Sequence, residues 1–188
     1  MKISKNVLYI FLALIVVAAL YRIVPGRPYG FAPQIAMALF GGALIKDRKM
    51  AFALPVLSMF LSDALFELLY YTGISPMWGF YEGQLTNYLL FALLTVIGFF
   101  IKKINVINIA AASFAAPTVY FLISNFMVWL SGTGGFQRPK TWDGLMMSFA
   151  DGLPFYKNSV AGTLFFAGLF FGGYYLIRQY MLKPKLAQ

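Results

Sequence analysis

Residues 51–71 read AFALPVLSMFLSDALFELLYY. The run carries two charges, Asp63 and Glu67, in a length that matches the roughly 20 apolar residues needed to cross a bilayer core about 30 Å thick. Similar runs lie on either side of it, at 7–24, 31–45, 84–101, 106–130 and 159–177. Of the 188 residues, 61% are apolar and only 11% charged, against about 25% charged in an ordinary soluble domain. So little polar surface cannot cover a water-soluble body of this size. The sequence therefore predicts an all-α integral membrane protein, one domain over 1–188, built as a six-span helix bundle.

The second run, 31–45, is short and rich in small residues (Ala32, Ala36, Ala38, Gly41, Gly42, Ala43), which let helix backbones approach closely in lipid. It is expected inside the bundle. Pro117 predicts a kink in the fifth span. The longest connection, 131–158, opens on Gly132-Thr133-Gly134-Gly135. From Thr141 onward, Trp142, Leu145, Met146 and Phe149 recur at helical spacing, which predicts a short amphipathic helix lying at the interface or over the bundle. The first run resembles a signal sequence in its flanks, but it is long for one and Leu20-Tyr21-Arg22 is a poor cleavage site. It is read as retained.

Orientation follows from the basic residues. Lys2, Lys5, Lys46, Arg48, Lys49, Lys102, Lys103, Arg178, Lys183 and Lys185 fall on one side, with Asp47 the only acid among them. Arg22, Arg27, Arg138, Lys140 and Lys157 fall on the other, balanced by Asp63, Glu67, Glu82, Asp143 and Asp151. The first side is then cytoplasmic, with both termini on it, and carries the whole net charge of +9. Because these charges cap apolar runs rather than form a stripe, no nucleic-acid partner is expected.

The chain has no Cys and no His, which removes disulfides, thiolate nucleophiles, imidazole bases and the common metal ligands. No cofactor or metal is expected. The strongest chemical signal is Asp63 with Glu67, one helical turn apart on one face, extended by Tyr70. Asp63 lies roughly 18 Å along its span, past the midplane. Carboxylates at that depth face a cavity or a partner. They read either as the wall of a ligand or cation site or as an ion pair with Arg22 or Arg27. As an acid/base pair they would also suit a membrane enzyme, but nothing supplies a nucleophile beside them, and no enzyme is expected. Asn125 and Trp129 share a face near the outer end of the fifth span, with Asn87 and Asn158 at the outer ends of the fourth and sixth. Converging at the outer helix ends, they read either as further walls of the small-molecule site or as interhelical amide bonds and belt anchors. Trp78, Phe80, Tyr81, Trp142 and Phe149 stand in the outer loops, where stacking over a ligand or anchoring at the interface explains them equally.

Several stretches resemble an uncharacterised bacterial family of six-helix membrane proteins. They are Arg27-Pro28, Ala38-Leu39-Phe40-Gly41-Gly42-Ala43, Leu61-Ser62-Asp63, Ser124-Asn125-Phe126, Val128-Trp129-Leu130-Ser131-Gly132 and Leu153-Pro154-Phe155. That family is in turn similar to the substrate-binding S components of energy-coupling-factor vitamin transporters. The resemblance implies capture of a small molecule, a vitamin or cofactor precursor, at the outer side of a bacterial cytoplasmic membrane. It also implies an energising transmembrane and ATPase module as partner. The AxxxA docking pattern of such subunits is not kept in the first span, where Ala13 is followed four on by Val17. The contrasting expectation is an accessory subunit of a larger membrane complex with no ligand of its own.

Overall fold

A computed structural model describes the backbone of residues 5–132 and 136–182 and the side chains of 9–132 and 136–179. Residues 133–135 of the Gly-rich turn and the basic residues Lys2, Lys183 and Lys185 lie outside the described residues. Six helices occur among the described residues: α1 (Lys5–Arg22), α2 (Gln34–Leu44), α3 (Arg48–Tyr71), α4 (Gln84–Phe99), α5 (Val106–Ser131) and α6 (Trp142–Leu182). No strand occurs among the described residues. Helices α3, α5 and α6 are long and apolar enough to cross a membrane, while α1, α2 and α4 are shorter apolar helices.

Local chemistry sets the ends. Asp47 caps α3, its Oδ1 accepting from the amides of Lys49 at 2.9 Å and Met50 at 3.3 Å. Asn105 caps α5 in the same way through Asn108 N at 2.8 Å. Gly132 ends α5 in the left-handed conformation, φ 73°, which a side chain would disfavour.

The short α2 is the hub. It packs against α3, α4, α5 and α6, and Gln34 to Leu39 are all buried. Its small residues explain the position. At Gly42 an added Cβ would sit 2.3 Å from the Thr95 carbonyl oxygen, and at Gly98 of α4 one would sit 2.6 Å from that of Leu39. The two backbones therefore touch, and only glycine fits the crossing. Around α2 aromatic rings fill the larger gaps: Phe40 meets Phe171 at 5.3 Å, and Tyr21 meets Phe166 edge-on at 5.0 Å. The outer faces are apolar as well, with Leu12, Leu57, Phe60, Leu93, Leu122 and Leu169 exposed. In water such a surface would be far larger than the apolar patches soluble monomers carry.

The long connection corrects the sequence reading. Residues 142–158 are not a separate amphipathic helix ahead of a span beginning at 159. They are the first half of α6, which runs unbroken for 41 residues, about 62 Å. Gly152 and Pro154 both lie inside this helix, where such residues are unfavourable. Pro154, however, removes only the bond to the Ala150 carbonyl, and the segment has a partner to pack on, because α5 continues to Ser131. Phe121 of α5 meets Phe149 and Tyr156 of α6 at 5.7 and 4.8 Å. Gly152 lies so close to α5 that a Cβ there would be 2.4 Å from the Asn125 amide oxygen. Trp142, at the start of the helix, is 72% exposed.

Candidate functional site

Asp63 is 1% exposed and sits where α1, α3 and α4 meet. Its Oδ1 forms an ion pair with Arg22 at the end of α1. Its Oδ2 accepts from Tyr88 Oη at 2.8 Å and from the Gln84 amide, both on the first turns of α4. Arg22 also donates to Ser62 Oγ at 2.6 Å and lies over the Phe66 ring at 5.5 Å. With three donors on one carboxylate and its charge paired, Asp63 is fully engaged within the protein. Arg27 takes no part in that pair. It donates to the carbonyls of Arg22, Pro28 and Phe31, at 3.2, 3.2 and 2.7 Å, and so folds the α1–α2 connection. Burial, and then the neighbouring Arg22 charge, push its guanidinium below the usual arginine value.

Glu67 is separate from the Asp63 pair. Its Oε2 accepts from the amides of Gly79 at 2.8 Å and Phe80 at 3.2 Å, strapping the α3–α4 loop onto α3. Gly79 is pressed against the helix, where a Cβ would fall 1.7 Å from the Asp63 carbonyl oxygen. Tyr70 and Trp78 stack at 5.7 Å on the outside of this strap, and Trp78 is 60% exposed. Gly79→Ala is expected to lift the strap, costing about 1–3 kcal/mol. Hydrogen exchange across residues 76–82 should rise, while that of α5 should not change.

A second polar chain leads from this loop to α5. Asn87 donates to Tyr81 Oη at 2.6 Å and accepts from Tyr120 Oη at 2.9 Å. Tyr120 forms one wall of a cleft of about 530 Å³ between α5 and the first half of α6. Phe121, Ser124 and Asn125 continue the α5 wall, and Ser148, Asp151, Tyr156 and Ser159 form the opposite one. Asn125 Nδ2 donates to the Phe121 carbonyl at 2.8 Å, and Ser148 Oγ donates to the Asn125 carbonyl at 3.1 Å. Tyr156 and Thr118 share a hydrogen bond of 2.9 Å. Arg138 and Asp151 form a two-point ion pair, 2.8 and 2.9 Å, and Phe136 lies 5.2 Å from the Arg138 guanidinium. Hydrogen bonding to Asp151 holds Arg138 above its ordinary value. Aromatic walls, hydroxyls, one amide and a carboxylate paired with Arg138 thus line the cleft.

The residues singled out in the sequence divide among these places. Asn125 lines the cleft; Asp63, Glu67, Tyr70, Trp78, Tyr81 and Asn87 do not. Trp129 Nε1 donates to the Pro139 carbonyl at 2.8 Å, with the Lys140 ammonium 5.4 Å from its ring, so it anchors the α5–α6 loop. Asn158 Nδ2 donates to the Tyr29 carbonyl at 2.8 Å and ties the α1–α2 loop to α6. Sequence reasoning did not single out Gln84, Tyr88, Tyr120, Ser148 or Tyr156. The one available signal was Gln84 with Tyr88, a polar pair four apart opening an apolar helix.

A model of a family of unknown function (DUF6580) matches residues 2–186, and the chain belongs to that family. No curated protein and no solved structure matches it.

Proposed function

We propose that this chain is a six-span protein of the bacterial cytoplasmic membrane, with both termini inside, that captures a small molecule at its outer end as the binding subunit of an uptake system. The cleft between α5 and α6 carries the reading. Its volume, about 530 Å³, falls in the range of roughly 300–1,000 Å³ usual for small-molecule sites. Its walls join aromatic faces to a few fixed polar groups, the usual composition of such sites. An aromatic or heteroaromatic ligand with hydrogen-bonding edges fits these walls, stacking on Phe121 or Tyr156 and meeting Ser124, Asn125 or Asp151 at its rim. The basic residues Lys46, Arg48, Lys49, Lys102, Lys103 and Arg178 gather at the opposite end and favour the cytoplasm there. At about 16 Å, α2 is too short to cross alone. Extended residues beside it complete the crossing, as non-helical backbone does when buried in protein. The resemblance to S components adds an energising membrane module as partner.

A second reading rests on Asp63. Its three donors and the strap over it leave it nothing to offer a ligand, which suits an accessory subunit held rigid for a larger complex. Native mass spectrometry from mild detergent, with stepwise activation, separates the two. Capture predicts a defined small-molecule adduct that Ser124→Trp, filling the cleft, reduces at least about tenfold while the protein stays folded. A bare polypeptide mass together with a stoichiometric protein partner would favour the accessory reading.

A further inference from the structure

A groove of about 580 Å³ runs along the other half of the α5–α6 pair and shares no lining residue with the cleft. Ile104, Ala110 and Ser113 line one side and Leu164, Gly168, Gly172 and Tyr175 the other. Its floor is unusually open: a Cβ built at Gly168 or Gly172 would meet nothing within 4 Å. Leu164, Gly168, Gly172 and Tyr175 are exposed on a face that is otherwise apolar. From Leu164 to Tyr175 it spans about 16 Å, close to the depth of one leaflet of a bilayer core about 30 Å thick.

The ends of the groove differ. Lys102 and Lys103 immediately precede Ile104, and Arg178 follows Tyr175 by one turn; all three are exposed, and none forms an ion pair among the described residues. Tyr175 Oη accepts from Gln179 at 2.6 Å, leaving its own proton to donate. The lining itself is uncharged throughout, and these cations stand in the chain just beyond its Ile104 and Tyr175 end. An apolar channel one leaflet deep, with cations at one end only, matches an amphiphile with a negative headgroup.

We propose that this groove holds an anionic phospholipid, its acyl chains along Gly168 and Gly172 and its phosphate among Lys102, Lys103 and Arg178. Basic clusters beside gaps between membrane helices bind such headgroups on the cytoplasmic side. A bound lipid fills a surface void that the small residues leave and complements cations that have no ion-pair partner among the described residues.

The test titrates dioleoyl phosphatidylglycerol, dioleoyl phosphatidylcholine and glycerol 3-phosphate separately into the detergent-purified protein and counts retained molecules by native mass spectrometry. Phosphatidylglycerol is expected to be retained at least about fivefold better than phosphatidylcholine, and glycerol 3-phosphate not at all. Gly172→Leu, which has room in the fold, should abolish the preference by blocking the chains. The combined Lys102→Gln, Lys103→Gln, Arg178→Gln variant should bring the two lipids level. Equal retention by the unmodified protein, or a preference untouched by Gly172→Leu, would overturn the proposal. A doubled protein mass that Gly172→Leu removes would also overturn it, by showing a second copy in the groove. The cleft variant Ser124→Trp should leave lipid retention unchanged, which keeps this result separate from the small-molecule one.

Discussion

Arg22→Met is expected to destabilise the protein by about 3–5 kcal/mol, the usual cost of removing one partner from a buried ion pair. Asp63 is 1% exposed and Arg22 16%. After the substitution the carboxylate keeps Gln84 and Tyr88 as neutral donors but loses the one cation paired with it among the described residues. Hydrogen bonds cannot replace that charge in a low-dielectric interior. Thermal unfolding in detergent should show the midpoint falling by about 6–20 °C. The companion change makes the cause testable. Asp63→Asn on the Arg22→Met background removes the orphaned charge and keeps an acceptor for Gln84 and Tyr88. The double variant is therefore expected to recover most of the loss, although each change alone is harmful. Simple additivity of the two single losses would mean that the pair does not act as a unit.

The second large effect is steric. Gly98→Val places a branched side chain where even a Cβ would lie 2.6 Å from the Leu39 carbonyl oxygen and 2.9 Å from Gly42 Cα. Neither neighbour is a flexible side-chain end, so α2 and α4 must separate. Because α2 is the hub, that separation spreads to α3, α5 and α6. The expected cost exceeds about 4–5 kcal/mol, the range reserved for gross packing failure, and the variant should not elute as a single species in detergent. Gly173→Ala, where nothing lies within 4 Å, serves as the control. It should be neutral or stabilising by about 0.5–1 kcal/mol, since alanine favours helix.

The helices were legible because hydropathy alone marks apolar runs of this length. The central place of α2 follows from its glycines and alanines, while the start of α3 at Arg48, three residues ahead of the apolar run, comes from the Asp47 cap. The unbroken α6 was not legible. The sequence reading split it into an interfacial helix and a span from 159, and only the packing of residues 142–158 on α5, which extends to Ser131, shows one helix. The Asp63 environment was half legible. Its depth in an apolar run announced a partner, and Arg22 was one of two candidates. Gln84 and Tyr88, 21 and 25 residues away, join it through the α3–α4 turn, which no local pattern predicts. Four apart, Asp63 and Glu67 look like one site, yet they serve different neighbours, because Glu67 is a turn closer to the returning loop. The cleft was the least legible. Tyr120 lies in the fifth apolar run, whereas Ser148 and Tyr156 fall in the 131–158 connection, and nothing joins them until α5 and α6 are set side by side.

The central claim is that the α5–α6 cleft opens to the outside of the membrane, opposite the basic end. The chain has no cysteine, so single cysteines report cleanly on access. Ser124→Cys and Lys103→Cys, each expressed alone, would be exposed to a membrane-impermeant maleimide in intact spheroplasts and again after lysis. Ser124→Cys is expected to react in intact spheroplasts and Lys103→Cys only after lysis. Reaction of Ser124→Cys only after lysis, or of Lys103→Cys before it, would place the cleft on the wrong side and contradict capture from outside.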